Sequence, residues 1–173
     1  QARESGKPDA IVQKMVDAHR LERSDVPLTR RDVNLLEVVD RVIRRLQPLL
    51  DEREIAVSVT GNGRALVDER EAERALYNLI SNAVRYAKRQ ISLEVFNGMV
   101  RLQDDGPGLP APLEQLALPF VGRTVEIAGK EYAGGTGGLG LFIARRVLEA
   151  HGGQLVCEAT GPNGTVFLAY FGR

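Results

Sequence analysis

Asn78 and Asn82 stand four residues apart in "YNLISNAVRYA", so on a helix they share one face, with Arg85 and Tyr86 a turn further along it. Two carboxamides can each offer an oxygen to a hard cation such as magnesium, leaving its other positions to phosphate oxygens and water. A plainer reading is a solvated polar stripe, since asparagine is a mediocre but not rare helix residue. A second candidate is "DDGPGLP", residues 104–110. Gly106 and Gly108 let the main chain approach a flat ligand, and a carboxylate at Asp104 could accept a hydrogen bond from an exocyclic amine. An ordinary Gly-Pro turn after a strand would use the same letters. The third is "YAGGTGGLGLFIARR", in which Gly134, Gly135, Gly137, Gly138 and Gly140 run directly into a helical pattern. Free N–H groups at a helix start, at the positive end of its dipole, form a phosphate site. A linker would also be glycine-rich, but here the helix begins within the glycine run, where each glycine costs up to about 1 kcal/mol.

The bulk properties exclude several other chemistries. The 173 residues suit one domain, and 23 basic residues balance 23 acidic ones, so no global field draws the chain to nucleic acid. The single cysteine, Cys157, sits in an apolar strand pattern and reads as a small buried hydrophobe. No "GxxxxGK[ST]" or post-strand "GxGxxG" occurs, and no Ser-His-Asp or metal–His constellation is visible. His151 falls at a helix C-terminus, where capping is its expected role. No apolar run is long enough to span a bilayer.

The elements that must position these residues follow from periodicity. Ile11, Val12, Met15, Val16 and Ala18 recur at helical spacing between Asp9 and Arg23, and "RSDVPLTRRDV" is a connector. Asn34, with Glu37 three residues on, starts a helix in which Pro48 should cause a kink or an end. "IAVSVT" reads as a strand that "GNG" turns back into a short partner, "RALV". Asp68 caps a helix reaching about Lys88, and "ISLEVF", Asn97-Gly98 and "MVRLQ" form a hairpin. A helix from about Gly138 to His151 and a closing hairpin around "TGPNGT" complete an α+β layer of helices on a mixed sheet.

"NLISNAVRYA", "DDGPGLP", "PFVGR" and "GGTGGLGLFIARRVLEAHGG", in this order, resemble the catalytic ATP-binding domain of bacterial sensor histidine kinases. They are similar to that family's asparagine box, first glycine box, phenylalanine box and second glycine box. The resemblance implies the Bergerat two-layer α/β sandwich, a mixed sheet packed by about three helices. It implies a catalytic domain over 31–173, with 1–30 ending a dimerisation hairpin as an N-terminal helical stub. ATP and Mg²⁺ are the implied ligands. Asn78 and Asn82 would meet the metal and triphosphate, Arg85 a phosphate, and Tyr86 the adenine edge. Asp104 would bind the adenine amine, with Gly106 and Gly108 shaping that end. Residues 121–137 would form the ATP lid, anchored by Phe120, with Arg123 and Thr136 as further contacts. Backbone amides of Gly137, Gly138, Leu139, Gly140 and Leu141 would hold phosphates.

Arg74 stands where the related gyrase and chaperone ATPases carry a water-activating Glu, which favours a kinase over an ATPase. The acceptor box of the family is absent, and neither His19 nor His151 has its setting, so no catalytic residue is assigned within the chain. The implied partners are the phosphoacceptor segment of a homodimeric kinase and a response regulator, with the domain on the cytoplasmic side of an inner-membrane protein. An anti-sigma-factor serine kinase of the same fold and a degenerate nucleotide-sensing domain are the alternatives.

Overall fold

A computed structural model of the chain describes residues 27–117 and 133–172, the side chains of 133–139 excepted. The helix expected over 9–23 lies outside these residues. Strand β1 (Arg30–Asn34) leads into helix α1 (Leu35–Arg53), strands β2 (Ala56–Gly61) and β3 (Arg64–Asp68), and helix α2 (Glu69–Tyr86). A hairpin of β4 (Gln90–Phe96) and β5 (Met99–Asp104), the single-turn α3 (Leu113–Leu116) and helix α4 (Ala133–Ala150) follow. The hairpin β6 (Gln154–Gly161) and β7 (Gly164–Tyr170) closes the domain.

Five strands form one sheet in the order β2-β4-β5-β7-β6, with β2 parallel to β4 and the other pairs antiparallel. Alternation decides its inner face. Leu93, Leu102 and Phe167 align across β4, β5 and β7, Val95, Val100 and Ala169 align on the next inward rung, and all six are buried. The apolar stripes of α1 (Val38, Val39, Val42, Leu46), α2 (Ala72, Ala75, Leu76, Leu79, Ala83) and α4 (Ile143, Val147, Leu148) complete the core. The expected α+β sandwich of a mixed sheet and three long helices is therefore the fold.

The caps and the central hairpin form as their residues dictate. The Asn34 side chain accepts from the N–H of Leu36 at 3.0 Å, and Asp68 accepts from those of Glu71 at 3.1 Å and Thr29 at 2.9 Å. Asn97 and Gly98 turn β4 into β5, with Gly98 at φ +72°. Charged side chains join the first two long helices. Arg41 binds Glu69 at 2.7 Å and Glu73 at 3.1 Å, and Arg45 lies 4.2 Å from the Tyr77 ring centre, so α1 is fixed to the outer side of α2.

Three expectations are corrected. The connector contains strand β1, which pairs with β3; only Val33 of β1 is buried, so its sequence carries almost no apolar alternation. β2 and β3 do not form a hairpin. A Cβ on Gly63 would fall 2.2 Å from the Phe96 carbonyl carbon, and one on Gly61, at φ +79°, 2.5 Å from the Val95 oxygen. The two glycines thus carry the chain tightly past the end of β4, and β3 leaves the large sheet. Pro48 does not end α1, which continues to Arg53. It is exposed, as is Arg44 one turn back, so the carbonyl it leaves without a donor faces water.

The last fixture ties α4 to α2. The Asp68 backbone N–H donates to His151 Nε2 at 3.0 Å, which requires the proton on Nδ1, 2.8 Å from the Val147 carbonyl. His151 caps its helix as expected, but as a neutral ring, buried and edge-on to Phe171 at 5.9 Å. Because the end of α4 meets the start of α2 and the helices pack together, they run antiparallel. The C-terminal half of α2 then lies toward the glycine-rich start of α4.

Burial is the main cause that lowers the His151 pKa from 6.5, aided by Arg30 and opposed by the Val147 carbonyl, Asp68 and Glu71. The unfolded chain takes up a proton near 6.5 while the folded chain resists, so this contribution is complete above 6.5 and lost as pH falls below it. His151→Ala should cost about 2–4 kcal/mol in urea unfolding at pH 7.5 and flatten the loss of stability as pH falls below about 6.5. An equal pH slope in both proteins would show that another group titrates there.

Candidate nucleotide-binding site

Spacing along α2 builds a polar stripe from Glu71 through Arg74, Asn78 and Asn82 to Arg85. Glu71 and Asn78 are buried, Arg74 and Asn82 are half-buried, and Arg85 and Tyr86 at the far end are exposed. At its closed end Arg74 Nε lies 3.7 Å from Glu71 Oε1, so position 74 holds a paired guanidinium rather than a carboxylate. Asn78 donates from Nδ2 to the Arg74 carbonyl at 2.8 Å. Its Oδ1 is buried and has no hydrogen-bond partner among the described residues. An unmatched buried acceptor of this kind costs about 1–3 kcal/mol, and a hard cation is the ligand class that a carboxamide oxygen suits.

Asp104 arrives from the sheet. It is the last residue of β5 and continues the inward alternation of Val100 and Leu102, so a carboxylate ends an otherwise apolar inner row. The Gly106 N–H donates to Oδ1 at 2.8 Å. Burial raises the Asp104 pKa, the Gly106 N–H opposes this, and the neighbouring Asp105 charge adds to it. An incoming amine donor would meet a buried carboxylate that already accepts from the backbone N–H groups of Gly106 and Thr165 and has further lone pairs to offer.

Gly106 and Gly108 have a role within the chain itself. A Cβ at Gly106 would fall 2.5 Å from the Tyr86 oxygen, and one at Gly108, at φ +94°, 2.4 Å from the Gly161 oxygen. The first approach presses the Asp104 loop against the end of α2, so Asp104, Arg85 and Tyr86 belong to one region. Asp105, to which the sequence assigned nothing, accepts from the N–H groups of Lys88 at 2.7 Å, Arg89 at 3.1 Å and Gln90 at 3.1 Å. No local spacing signals a bond reaching 15–17 residues back.

The glycine-rich element differs from expectation. α4 begins at Ala133 instead of about Gly138 and passes through Gly134, Gly135, Thr136 and Gly137. The amides of Gly138, Leu139, Gly140 and Leu141, expected to be free, are therefore inside the helix, because only the first four N–H groups of a helix lack intrahelical partners. Gly140 and Leu141 are buried. Phe120 and Arg123, and the lid up to residue 132, lie outside the described residues, as do the side chains of Thr136 and Leu139.

Residues 67–172, which contain α2, the Asp104 loop and α4, match the family model described as histidine kinase-, DNA gyrase B-, and HSP90-like ATPase. The chain belongs to this ATPase family. Among its relatives is sensor protein CseC of Streptomyces avermitilis, 29% identical over 154 residues that cover 89% of this chain and 30% of CseC. Sensor protein KdpD of Escherichia coli is 31% identical over 164 residues, covering 91% of this chain and 18% of KdpD. The chain thus spans less than a third of either relative. The solved catalytic domain of histidine kinase ThkA superposes with a TM-score of 0.65 at 26% identity, covering 82% of this chain and 93% of that one. Within the ATPase family the chain is a catalytic ATP-binding domain of the sensor histidine kinase type.

The raised pKa of Asp104 makes its charge a stability cost at neutral pH: its favourable contribution is complete below 3.8 and lost as pH rises through the folded value. Asp104→Asn keeps an acceptor for the Gly106 N–H and removes the charge. It should raise Tm by roughly 2–4 °C and weaken ATP binding by about tenfold or more, read by thermal unfolding and calorimetry. Unchanged affinity would remove Asp104 from the site.

Proposed function

We propose that this domain binds Mg²⁺–ATP between the Asn face of α2, the Asp104 loop and the start of α4. It would deliver the γ-phosphoryl group to a histidine that lies outside these 173 residues, on a dimerisation segment. The phosphoryl group then passes to an aspartate of a response regulator. Residues 1–30 are the end of that dimerisation segment, 31–173 the catalytic domain, and the domain works on the cytoplasmic side of a membrane sensor. No helix among the described residues is long and apolar enough to cross a bilayer itself.

The observation that carries the reading is the buried, unpartnered Asn78 Oδ1. It fits a magnesium ion, with Asn82 one turn on as the second carboxamide. When bound, the ion would neutralise charge on the phosphate oxygens. The rest of the scheme belongs to the protein. Arg85 meets a phosphate, Tyr86 the adenine edge, and Asp104 accepts from the adenine amine. Phosphoryl transfer depends on placement and charge neutralisation more than on covalent help, so no nucleophile or base is required in this domain.

Holding phosphates on the amides of Gly138–Leu141 requires the first turns of α4 to unwind. Gly134, Gly135, Gly137 and Gly138 make these the weakest turns of the helix, since each glycine costs about 1 kcal/mol relative to alanine. Hydrogen bonds from the freed amides to phosphate oxygens offset the loss.

Asn82→Ala should leave the fold intact and lower Mg²⁺-dependent ATP affinity by at least about tenfold, read by titration with and without magnesium. Equal affinity in both proteins would remove Asn82 from the site. Incubated with γ-labelled ATP, this chain alone should bind nucleotide and acquire no stable label. A phosphorylated residue within it would contradict the acceptor assignment.

A further inference from the structure

Helix α2 ends without a conventional cap. Position 87 is Ala, with φ −64° and ψ 150°, and no glycine or asparagine follows to fold back over the last carbonyls. The groups left open are taken up by two charged side chains from elsewhere. Arg53, the last residue of α1, donates from Nη1 to the Val84 carbonyl and to the Arg85 carbonyl at 2.7 Å, and from Nη2 to the Ala87 carbonyl at 3.3 Å. Asp105 takes the donors on the other side: its Oδ1 accepts from Lys88 and Arg89, its Oδ2 from Arg89 and Gln90. These backbone N–H groups hold the Asp105 pKa below its ordinary value although burial pushes it up. The seven residues 84–90, which carry the chain out of α2, are thus gripped through their carbonyls by a cation and through their amides by an anion.

Both grips bear on the site. Arg85 and Tyr86 lie inside the clamped segment, and Asp105 is bonded to Asp104. The Asp105 carboxylate therefore fixes how far the Asp104 carboxylate stands from the end of α2, and Gly106, tight against the Tyr86 oxygen, lets the two close up. We infer that Arg53 and Asp105 are positioning residues for the base end of the nucleotide slot, setting the gap between Asp104 and the Arg85–Tyr86 turn. Neither is assigned a contact with ATP. The inference rests on the nucleotide site proposed above.

A fixed gap shows itself as discrimination. Asp104 accepts from an amine, and inosine triphosphate carries an oxygen where adenine carries that amine. A well-placed carboxylate rejects this analogue, and a loosened one rejects it less. The test measures affinities for ATP and inosine triphosphate with magnesium, by calorimetry and competition, in the wild-type chain and in Asp105→Ala, Asp105→Asn, Arg53→Met and Arg53→Lys. Folding is monitored by circular dichroism. The inference expects the ATP preference to fall roughly tenfold in Asp105→Ala and Arg53→Met. Asp105→Asn, which keeps one acceptor oxygen, and Arg53→Lys, which keeps the charge without the fork, should fall between these and wild type. If an Ala or Met variant does not fold, the two conservative variants carry the comparison. A preference unchanged in every folded variant, with both affinities equal to wild type or reduced in parallel, overturns the positioning role while leaving the nucleotide site standing. A wild-type chain that binds neither nucleotide overturns the site and the inference together.

Discussion

The Asn78 side chain commits its amide to the carbonyl of Arg74, one turn earlier on the same helix, at 2.8 Å. That bond fixes the rotation of the carboxamide, so its oxygen is held in a buried position with nothing in the described protein to satisfy it. A solvated stripe would not need such a constraint, because a surface carboxamide turns freely to water. Everything that the site can do follows from keeping this acceptor both rigid and unmet. The Glu71–Arg74 pair closes the inner end of the stripe, and Asn82, Arg85 and Tyr86 open it toward solvent along the same helical face.

The remaining elements hold that face against its partners. His151 locks the end of α4 to the start of α2, and the antiparallel pair this creates brings the glycine-rich start of α4 toward the far end of α2. The sheet supplies one carboxylate on an apolar row, and Gly106 lets it close against the last turn of α2. Stability and binding pull apart here. A buried carboxylate, an unmatched amide oxygen and a helical turn rich in glycine each weaken the free domain, and each is a group that nucleotide binding would satisfy. Where no ligand is needed, as in the Val, Leu and Ala stripes of the core, the packing is conventional.

Much of this was legible in the sequence because it depends on short-range period. The i, i+4 spacing of Asn78 and Asn82 needs only a helix, which Asp68 and the Leu76–Leu79–Ala83 stripe announce. The alternation from Val100 through Leu102 extends to Asp104 without a break. Asn97-Gly98 between alternating runs gave the hairpin. The features without a sequence signal depend on contacts far along the chain. Gly61 and Gly63 look like a hairpin turn, yet they are required by the end of β4, more than thirty residues on. β1 has one buried residue and exists because β3 is there to pair with it. Pro48 was tolerated because its side of α1 faces water. The start of α4 could not be placed from a glycine run, which carries no side-chain periodicity, and the bonds of Arg53 and Asp105 leave no spacing signature at all.

The most direct measurement is anomalous scattering from a crystal of this chain grown with a nonhydrolysable ATP analogue and Mn²⁺ in place of Mg²⁺. The account predicts one strong peak within about 2.0–2.3 Å of Asn78 Oδ1 and of the analogue's phosphate oxygens. It is contradicted if the metal and nucleotide lie elsewhere, or if Asn78 Oδ1 is found accepting a hydrogen bond from the protein itself.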